Sequence, residues 1–235
     1  MQLSKRLEML ASMVTVGGRL ADVGTDHAYL PIALLKSGRI SAAIAMDVRE
    51  GPLVRAKTHI EEAELSSYIE TRLSDGLEKP MPGEADTIVI AGMGGPLINR
   101  ISQAHPEVAE STGELILQPQ SEIGDTRRFL AETGFEIVQE EMVVEDGKYY
   151  PMMRVVPGKA YRLTDIQQEF GPLLIEKKHP VLIEWLALEK KKCGAILEKI
   201  KDAENAGNVR TGQRKEQVRA RQKMIQAVLE NRKEL

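Results

Sequence analysis

The sequence predicts an α/β chain: a doubly wound, mostly parallel sheet closed by an antiparallel hairpin, with a separate helical segment after it. Three observations predict this. Five short apolar runs between residues 19 and 117 alternate with stretches of helical period. Two longer β-rich runs, Phe135–Glu145 and Lys148–Val156, are joined by Asp146-Gly147, a dipeptide that favours a two-residue hairpin turn. After Pro157-Gly158 the strand signal stops, and apolar residues recur only at helical spacing. The boundary falls there, giving a domain of residues 1–158 and a helical one of residues 159–235.

Residues 3–14 read as an amphipathic helix with Ser4 as N-cap and Leu3, Leu7 and Leu10 on one stripe. Gly17-Gly18 ends it. Arg19–Val23 is the first strand, and Tyr29–Lys36 the helix after it. Ala42–Met46 is a small-residue strand ending at Asp47, followed by a helix over Pro52–Glu64. Tyr68–Leu73 is a third strand, closed by Ser74-Asp75-Gly76, and Asp86–Ala91 a fourth. Gly92-Met93-Gly94-Gly95 turns into the helix Pro96–Gln103. Leu115–Leu117 is the fifth strand, and Ile123–Thr133 a helix stopped by Gly134. With the hairpin this makes seven strands, the architecture of Rossmann-like methyltransferases. Beyond it, Leu182, Leu186, Cys193, Ile196 and Ile200 mark one long helix beginning near His179-Pro180. Val218, Ile225, Val228 and Leu229 mark a second, after a break over Ala203–Gly212. Two such helices joined by a short loop are expected to pack antiparallel, like a coiled coil.

Composition narrows the function. A single cysteine, Cys193, excludes a disulfide within the chain, and with four scattered histidines it argues against a metal site. No apolar run approaches the roughly 20 residues of a membrane span, and the N-terminal residues lack a signal-peptide core, so a cytoplasmic protein is expected. Charge is unevenly shared. Residues 1–158 carry 15 Lys and Arg against 24 Asp and Glu, a net −9, whereas residues 159–235 carry 17 against 11, a net +6. A basic segment on an acidic body points to a polyanionic partner, the plainer alternative being a solvated lysine-rich hairpin.

The chemistry concentrates at strand ends. Asp22 and Asp26 flank Gly24 in the first strand–loop–helix turn, and no Lys or Arg lies between Asp22 and Leu35. Pyrophosphate would be repelled there. A ligand bearing an ammonium and a sulfonium, S-adenosylmethionine, would be attracted, its own carboxylate received by the next helix N-terminus. Asp47 follows Gly24 by 23 residues, the separation at which a strand-two carboxylate reaches a ribose, with Val48 beside it. Asp75 is placed to accept an adenine amino group over Gly76. Ala91, Gly92 and Met93 complete the cofactor loop set, and Gly94 and Gly95 leave room for a planar base. His27 is a further cofactor contact. Asp26 is the expected catalytic carboxylate, unless it merely caps the helix after the loop. Cys193 and Ser74 lack the partners of a nucleophilic triad.

These strings resemble a known family. Leu3-Ser4-Lys5-Arg6-Leu7, Ala21-Asp22-Val23-Gly24-Thr25-Asp26-His27-Ala28-Tyr29-Leu30-Pro31, Ile90-Ala91-Gly92-Met93-Gly94-Gly95, Leu117-Gln118-Pro119-Gln120 and Glu145-Asp146-Gly147-Lys148-Tyr149-Tyr150 are similar to the bacterial tRNA adenine-22 N1-methyltransferases. The resemblance covers residues 3 to about 156 and extends in general character to the helical hairpin. It implies S-adenosylmethionine as cofactor and tRNA as substrate. The +6 segment, with Arg210, Arg214, Lys215, Arg219 and Arg221 clustered where the second long helix begins, is then the expected RNA grip, Arg6, Gly94 and Gly95 are further expected substrate contacts, and a monomer or weak dimer is the expected form. Adenine N1 has an in-plane lone pair, so in-line attack on the methyl needs alignment rather than a base. The competing readings are a dinucleotide-dependent oxidoreductase on a similar sheet and a non-catalytic module that holds a partner through its helices.

Overall fold

The computed structural model describes residues 3–205 and 212–230, without the side chains of residues 203–205. The chain divides into two compact units, Met1–Arg162 and Leu163–Leu235. In the first, a seven-stranded sheet has the order β3-β2-β1-β4-β5-β7-β6. Its strands are β1 (Arg19–Val23), β2 (Ala42–Asp47), β3 (Ile69–Leu73), β4 (Thr87–Met93), β5 (Glu114–Pro119), β6 (Phe135–Glu145) and β7 (Lys148–Pro157). β1 to β5 are parallel; β7 pairs antiparallel with both β5 and β6. The expected hairpin turn is present: Asp146 and Gly147 both have positive φ, 49° and 72°, as a primed turn requires.

Helices α1 (Lys5–Met13), α2 (Tyr29–Lys36) and α3 (Glu50–Glu62) cover one face of the sheet. Leu10, Met13, Leu30, Leu34 and Ile60 meet Val89, Ile116 and Met152 there. Ile88 and Ile90 point the other way along β4 and are equally buried, so both faces are covered. α4 (Gly95–Ala104) packs on β4, β5 and α6 (Ile123–Glu132), and α6 packs in turn on β6. A short α5 (Pro106–Ser111) has no clear signature in the sequence. β5 is also longer than the apolar run Leu115–Leu117 suggests. It begins at Glu114, whose buried carboxylate accepts from Thr15 N, Thr15 Oγ1, Thr87 Oγ1 and Arg154 Nη1 and so tolerates the interior.

In the second unit, α9 (Pro180–Asn205) and α10 (Gly212–Leu229) pack on each other. Leu182, Leu186, Cys193 and Ile200 are buried from α9, and Val218, Ile225 and Val228 from α10. Two short helices, α7 (Asp165–Phe170) and α8 (Pro172–Glu176), precede them. Thr164 opens α7 with a reciprocal capping box to Gln167. Arg221 of α10 organises this unit. It bonds Glu169, lies 3.6 Å from Glu189, and sits over the rings of Phe170 and Trp185 at 5.9 and 5.8 Å.

Across α6 and β6, Arg127 Nε donates to Glu140 Oε1 at 2.8 Å with both side chains almost wholly buried. Removing one partner strands a charge in the interior. Arg127→Met is expected to lower stability by about 3–5 kcal/mol, read as a lower urea midpoint. Arg127→Met combined with Glu140→Leu is expected to recover most of that loss; a double variant as unstable as the single one would contradict the account.

Candidate functional site

β1 ends at Val23, and the backbone N–H groups of Gly24 and Thr25 both donate to the Met46 carbonyl at 2.8 Å. Gly24 has φ +80°, and a Cβ on it would come within 2.2 Å of Met93 Cε. The positive φ favours glycine here, and the flexible end of the Met93 side chain occupies the space beside it. Around this turn lies a cavity of about 210 Å³ whose walls include Arg6, Asp22, Gly24, Asp26, His27 and Ala91. A second cavity, about 490 Å³, sits at the opposite, N-terminal ends of the strands against Thr15, Asp86, Glu114 and Arg154. In open α/β sheets ligands bind beyond the carboxyl ends, at the switch point between β1 and β4, and the smaller cavity is the one in that place.

Asp22 is 8% exposed. Burial pushes its carboxyl up to about 6, against a smaller lowering by a hydrogen bond from Thr25. No cation pairs with it among the described residues, so it is a carboxylate suited to an incoming positive charge. Asp26 differs. Arg55 of α3 donates to its Oδ1, and His27 Nε2 lies 3.3 Å from its Oδ2. The Arg55 hydrogen bond holds the Asp26 carboxyl below the usual range. The loop has no basic residue of its own, but α1 and α3 bring Arg6 and Arg55 to it, which sequence spacing does not reveal. Asp26 also does not cap α2: the N-cap is Ala28, at φ 55°, and no side chain bonds to that helix end.

His27, Tyr29 and His59 stack as three rings, with centroids 4.9 Å apart between His27 and Tyr29 and 5.1 Å between Tyr29 and His59. His27 Nδ1 is buried without a partner, an orphaned polar atom at the cavity wall. Two carboxylates, this orphaned nitrogen and a glycine cradle fit a cationic, amino-acid-bearing cofactor. At the neighbouring strand ends, Asp47 is buried and accepts from Arg49 N at 2.8 Å, and its carbonyl receives Ser74 N. Val48 is 59% exposed beside it. Asp75 is exposed, and Gly76 is buried at φ +59° against Ile101. These four stand at the same edge but do not wall the cavity.

The end of β4 carries a bulge. Ala91 pairs with Gln118 and Met93 with Pro119, leaving Gly92, at φ +77°, outside the ladder. Gly94 is the N-cap of α4. Gly95 is buried, and a Cβ there would lie 2.6 Å from the Ser121 carbonyl and 2.5 Å from Thr126 Oγ1. Its lack of a side chain therefore serves the packing of α4 on the β5–α6 loop, not the approach of a base. In the helical unit Arg214 and Arg219 are exposed and Lys215 is half-buried, while Arg210 lies outside the described residues. Arg221 of the same basic run is held by Glu169 and the two rings, so it does not belong to a free surface. Among the described residues no group of three or more His, Cys, Asp or Glu is arranged to hold a metal, and no helix is long and apolar enough to cross a membrane.

Residues 3–153 match a family model described as a methyltransferase domain. The tRNA (adenine(22)-N(1))-methyltransferase of Bacillus subtilis is 33% identical over 236 residues, covering 98% of each chain. Among solved structures, Streptococcus pneumoniae Sp1610 in complex with S-adenosyl-L-methionine superposes with a TM-score of 0.85 at 35% identity, covering 97% of this chain and 100% of that one. The M. capricolum TrmK in complex with S-adenosyl-homocysteine gives 0.78 at 27% identity, covering 96% and 100%.

The Asp22 carboxyl has a consequence for stability. Its folded value, about 6, lies above the ordinary value of 3.8, so between these limits the folded chain holds a proton that the unfolded chain has released. The Asp22 contribution to stability is therefore expected to fall as pH rises from about 4 to about 6, by roughly 3 kcal/mol at most, opposite in sign to the contributions of the lowered Asp26, Glu84 and Glu114 carboxyls. Asp22→Asn is expected to remove that slope in urea titrations between pH 4 and 7; an unchanged slope would locate the proton elsewhere.

Proposed function

The chain belongs to the bacterial tRNA (adenine(22)-N1)-methyltransferase family, and on that premise we propose how its residues carry the reaction. The enzyme methylates N1 of adenine 22 in tRNA and depends on S-adenosyl-L-methionine, which supplies the electrophilic methyl group. The observation that carries the site assignment is the meeting of Asp22, Asp26, His27 and Arg6 in one cavity at the β1/β4 switch point. Asp22, the carboxylate with no cation partner among the described residues, receives the positive methionine end, and the His27 side chain at the cavity wall lies beside it. At the neighbouring strand ends Asp47 would hold the ribose, with Val48 beside it, and Asp75 would accept the adenine amino group of a ring over Gly76. Gly24 and Ala91 wall the cavity, while Gly92 and Met93 adjoin it without lining it and shape the end of β4. Neither of the other two readings of the sequence suits this family: an oxidoreductase needs a pyrophosphate site, and a holding module needs no cavity of this kind.

Asp26 is the catalytic residue of this proposal. Arg55 and His27 keep it ionised and fix its two oxygens. The target adenine gains positive charge as N1 is methylated, so a fixed carboxylate stabilises the transition state more than the bound substrate. It does so by accepting from the N6 amino group or by facing the developing charge. N1 lies on the pairing edge, so the base leaves its pairing to enter. Arg6 and the Gly94 backbone meet the incoming nucleotide, and Arg214, Lys215, Arg219 and Arg210 grip phosphates from the helical unit. The reaction is assigned to the cytoplasm, with a monomer or weak dimer as the active form.

Mass mapping of tRNA incubated with enzyme and S-adenosyl-L-methionine is expected to place one methyl on the adenine at position 22; label at another atom or none at all would refute the reading. In the same assay Asp26→Asn is expected to fold, bind tRNA, and react at least about tenfold more slowly in a single turnover, the effect of roughly 1.4 kcal/mol in the barrier. A wild-type rate would remove Asp26 from the catalytic role.

Paired replacement of Arg214 and Arg219 by Ala is expected to weaken tRNA binding and to reduce the slope of log affinity against log salt by about two, one for each phosphate no longer neutralised. Filter binding across a salt series reads it, and an unchanged slope would place the phosphate-binding groups on another surface.

A further inference from the structure

Gln118 is fully buried at the carboxyl end of β5, in a strand otherwise apolar from Leu115 to Leu117. A buried carboxamide must be satisfied, and this one is. Its Oε1 accepts from the Gly92 backbone N–H at 3.2 Å and from Arg6 Nη1 at 3.1 Å, and its Nε2 donates to the Pro119 carbonyl at 3.1 Å. Both groups facing the oxygen are pure donors, so the orientation of the amide is determined by its neighbours. The Gly92 N–H is the one that the β4 bulge has released from the ladder. The same bulge carries Met93 to the place where a Gly24 side chain would stand. On the other side, Arg6 reaches in from α1, lies 5.9 Å over the Tyr150 ring, and forms part of the cavity wall. One oxygen thus joins the loop beneath the cofactor cavity to a cation at its rim.

We propose that Gln118 is a positioning residue for methyl transfer, fixing the Arg6 guanidinium relative to the bulged end of β4. This rests on the assignment of Arg6 to the incoming nucleotide. Only one of the guanidinium's five N–H donors is spent on Gln118, and the others remain to meet a phosphate or a base edge. Arg6 on the first turn of α1 would otherwise sample many rotamers. With Gln118 and Tyr150 it has one acceptor and one platform, and the nucleotide meets a cation already in place.

A double-variant cycle in single-turnover methylation tests this, with S-adenosyl-L-methionine and tRNA saturating and at a temperature where near-ultraviolet circular dichroism shows each variant folded. Arg6→Ala is expected to slow the step at least tenfold. Gln118→Met, which keeps the length of the side chain and removes the acceptor, is expected to slow it comparably, with KM for tRNA changed less than threefold. The combined variant is expected to be no more than about twofold slower than Arg6→Ala alone, because Gln118 acts through Arg6. Gln118→Glu keeps an acceptor for Arg6 and the Gly92 N–H but loses the donor to the Pro119 carbonyl, and is expected to react faster than Gln118→Met. If Arg6→Ala reacts and binds tRNA normally, the assignment of Arg6 itself falls and the proposal with it. If Arg6→Ala is slow but Gln118→Met is not, or if the two losses multiply in the combined variant, Gln118 is a packing residue only. Should Gln118→Met not fold, Gln118→Leu, which likewise removes the acceptor, takes its place in the same cycle, and a folded Gln118→Leu that reacts at the wild-type rate overturns the proposal.

Discussion

The reversal of strand order between β1 and β4 is the constraint on which the molecule depends. From β1 the chain winds outward through β2 to β3; from β4 it winds the opposite way. Their loops leave the sheet in different directions and cannot cover the gap between them. The backbone at this gap is shaped for close approach. Gly24 takes a left-handed turn tied to β2 through two hydrogen bonds, and β4 bulges at Gly92 so that Met93 fills the space above Gly24. Asp22 is buried there, and burial raises its carboxyl, while at Asp26, four residues on and exposed, the Arg55 hydrogen bond outweighs desolvation and holds the carboxyl below the usual range.

The elements are largely legible in the sequence because their patterns are local. Arg19–Val23 and Tyr29–Lys36 can be read to the residue from an apolar run, a glycine turn and a helical period. Asp146-Gly147 announces its hairpin by turn chemistry alone. What escapes is nonlocal. β5 reads too short because Glu114 and Gln118 look polar, and only the tertiary structure supplies Thr15, Thr87 and Arg154 to the one and Gly92 and Arg6 to the other. The acidic character of the first loop is plain, but the arrival of Arg55 from a helix 29 residues away is not. Gly95 reads as an opening for a base because a glycine's neighbours are invisible in the sequence; it is closed by Ser121 and Glu122.

Formal charge also differs from available charge. The basic segment clusters Arg214, Arg219 and Arg221 on one helix, yet Arg221 stabilises its own unit by lying near Phe170, Trp185 and two glutamates. A guanidinium that lies over two rings and pairs with two carboxylates is committed to its own unit although it is one-third exposed. A surface inferred from composition must have such residues subtracted. The buried Arg127–Glu140 pair in the first unit makes the same point inside an α/β layer.

The docking of α1 has a consequence for how the enzyme is made. Its first turn is tied by Lys5 N to Glu145, 140 residues ahead, and by Arg6 to Gln118, 112 residues ahead. On the ribosome the helix is synthesised early, but its partners emerge only after most of the first unit has been translated. A nascent chain that already contains Asp22, Asp26 and the glycine turn still lacks the strand that carries Gln118 and the hairpin that carries Tyr150. The rim of the cavity is therefore assembled last, although Arg6 is translated among the first residues of the unit. The long-range closure slows folding.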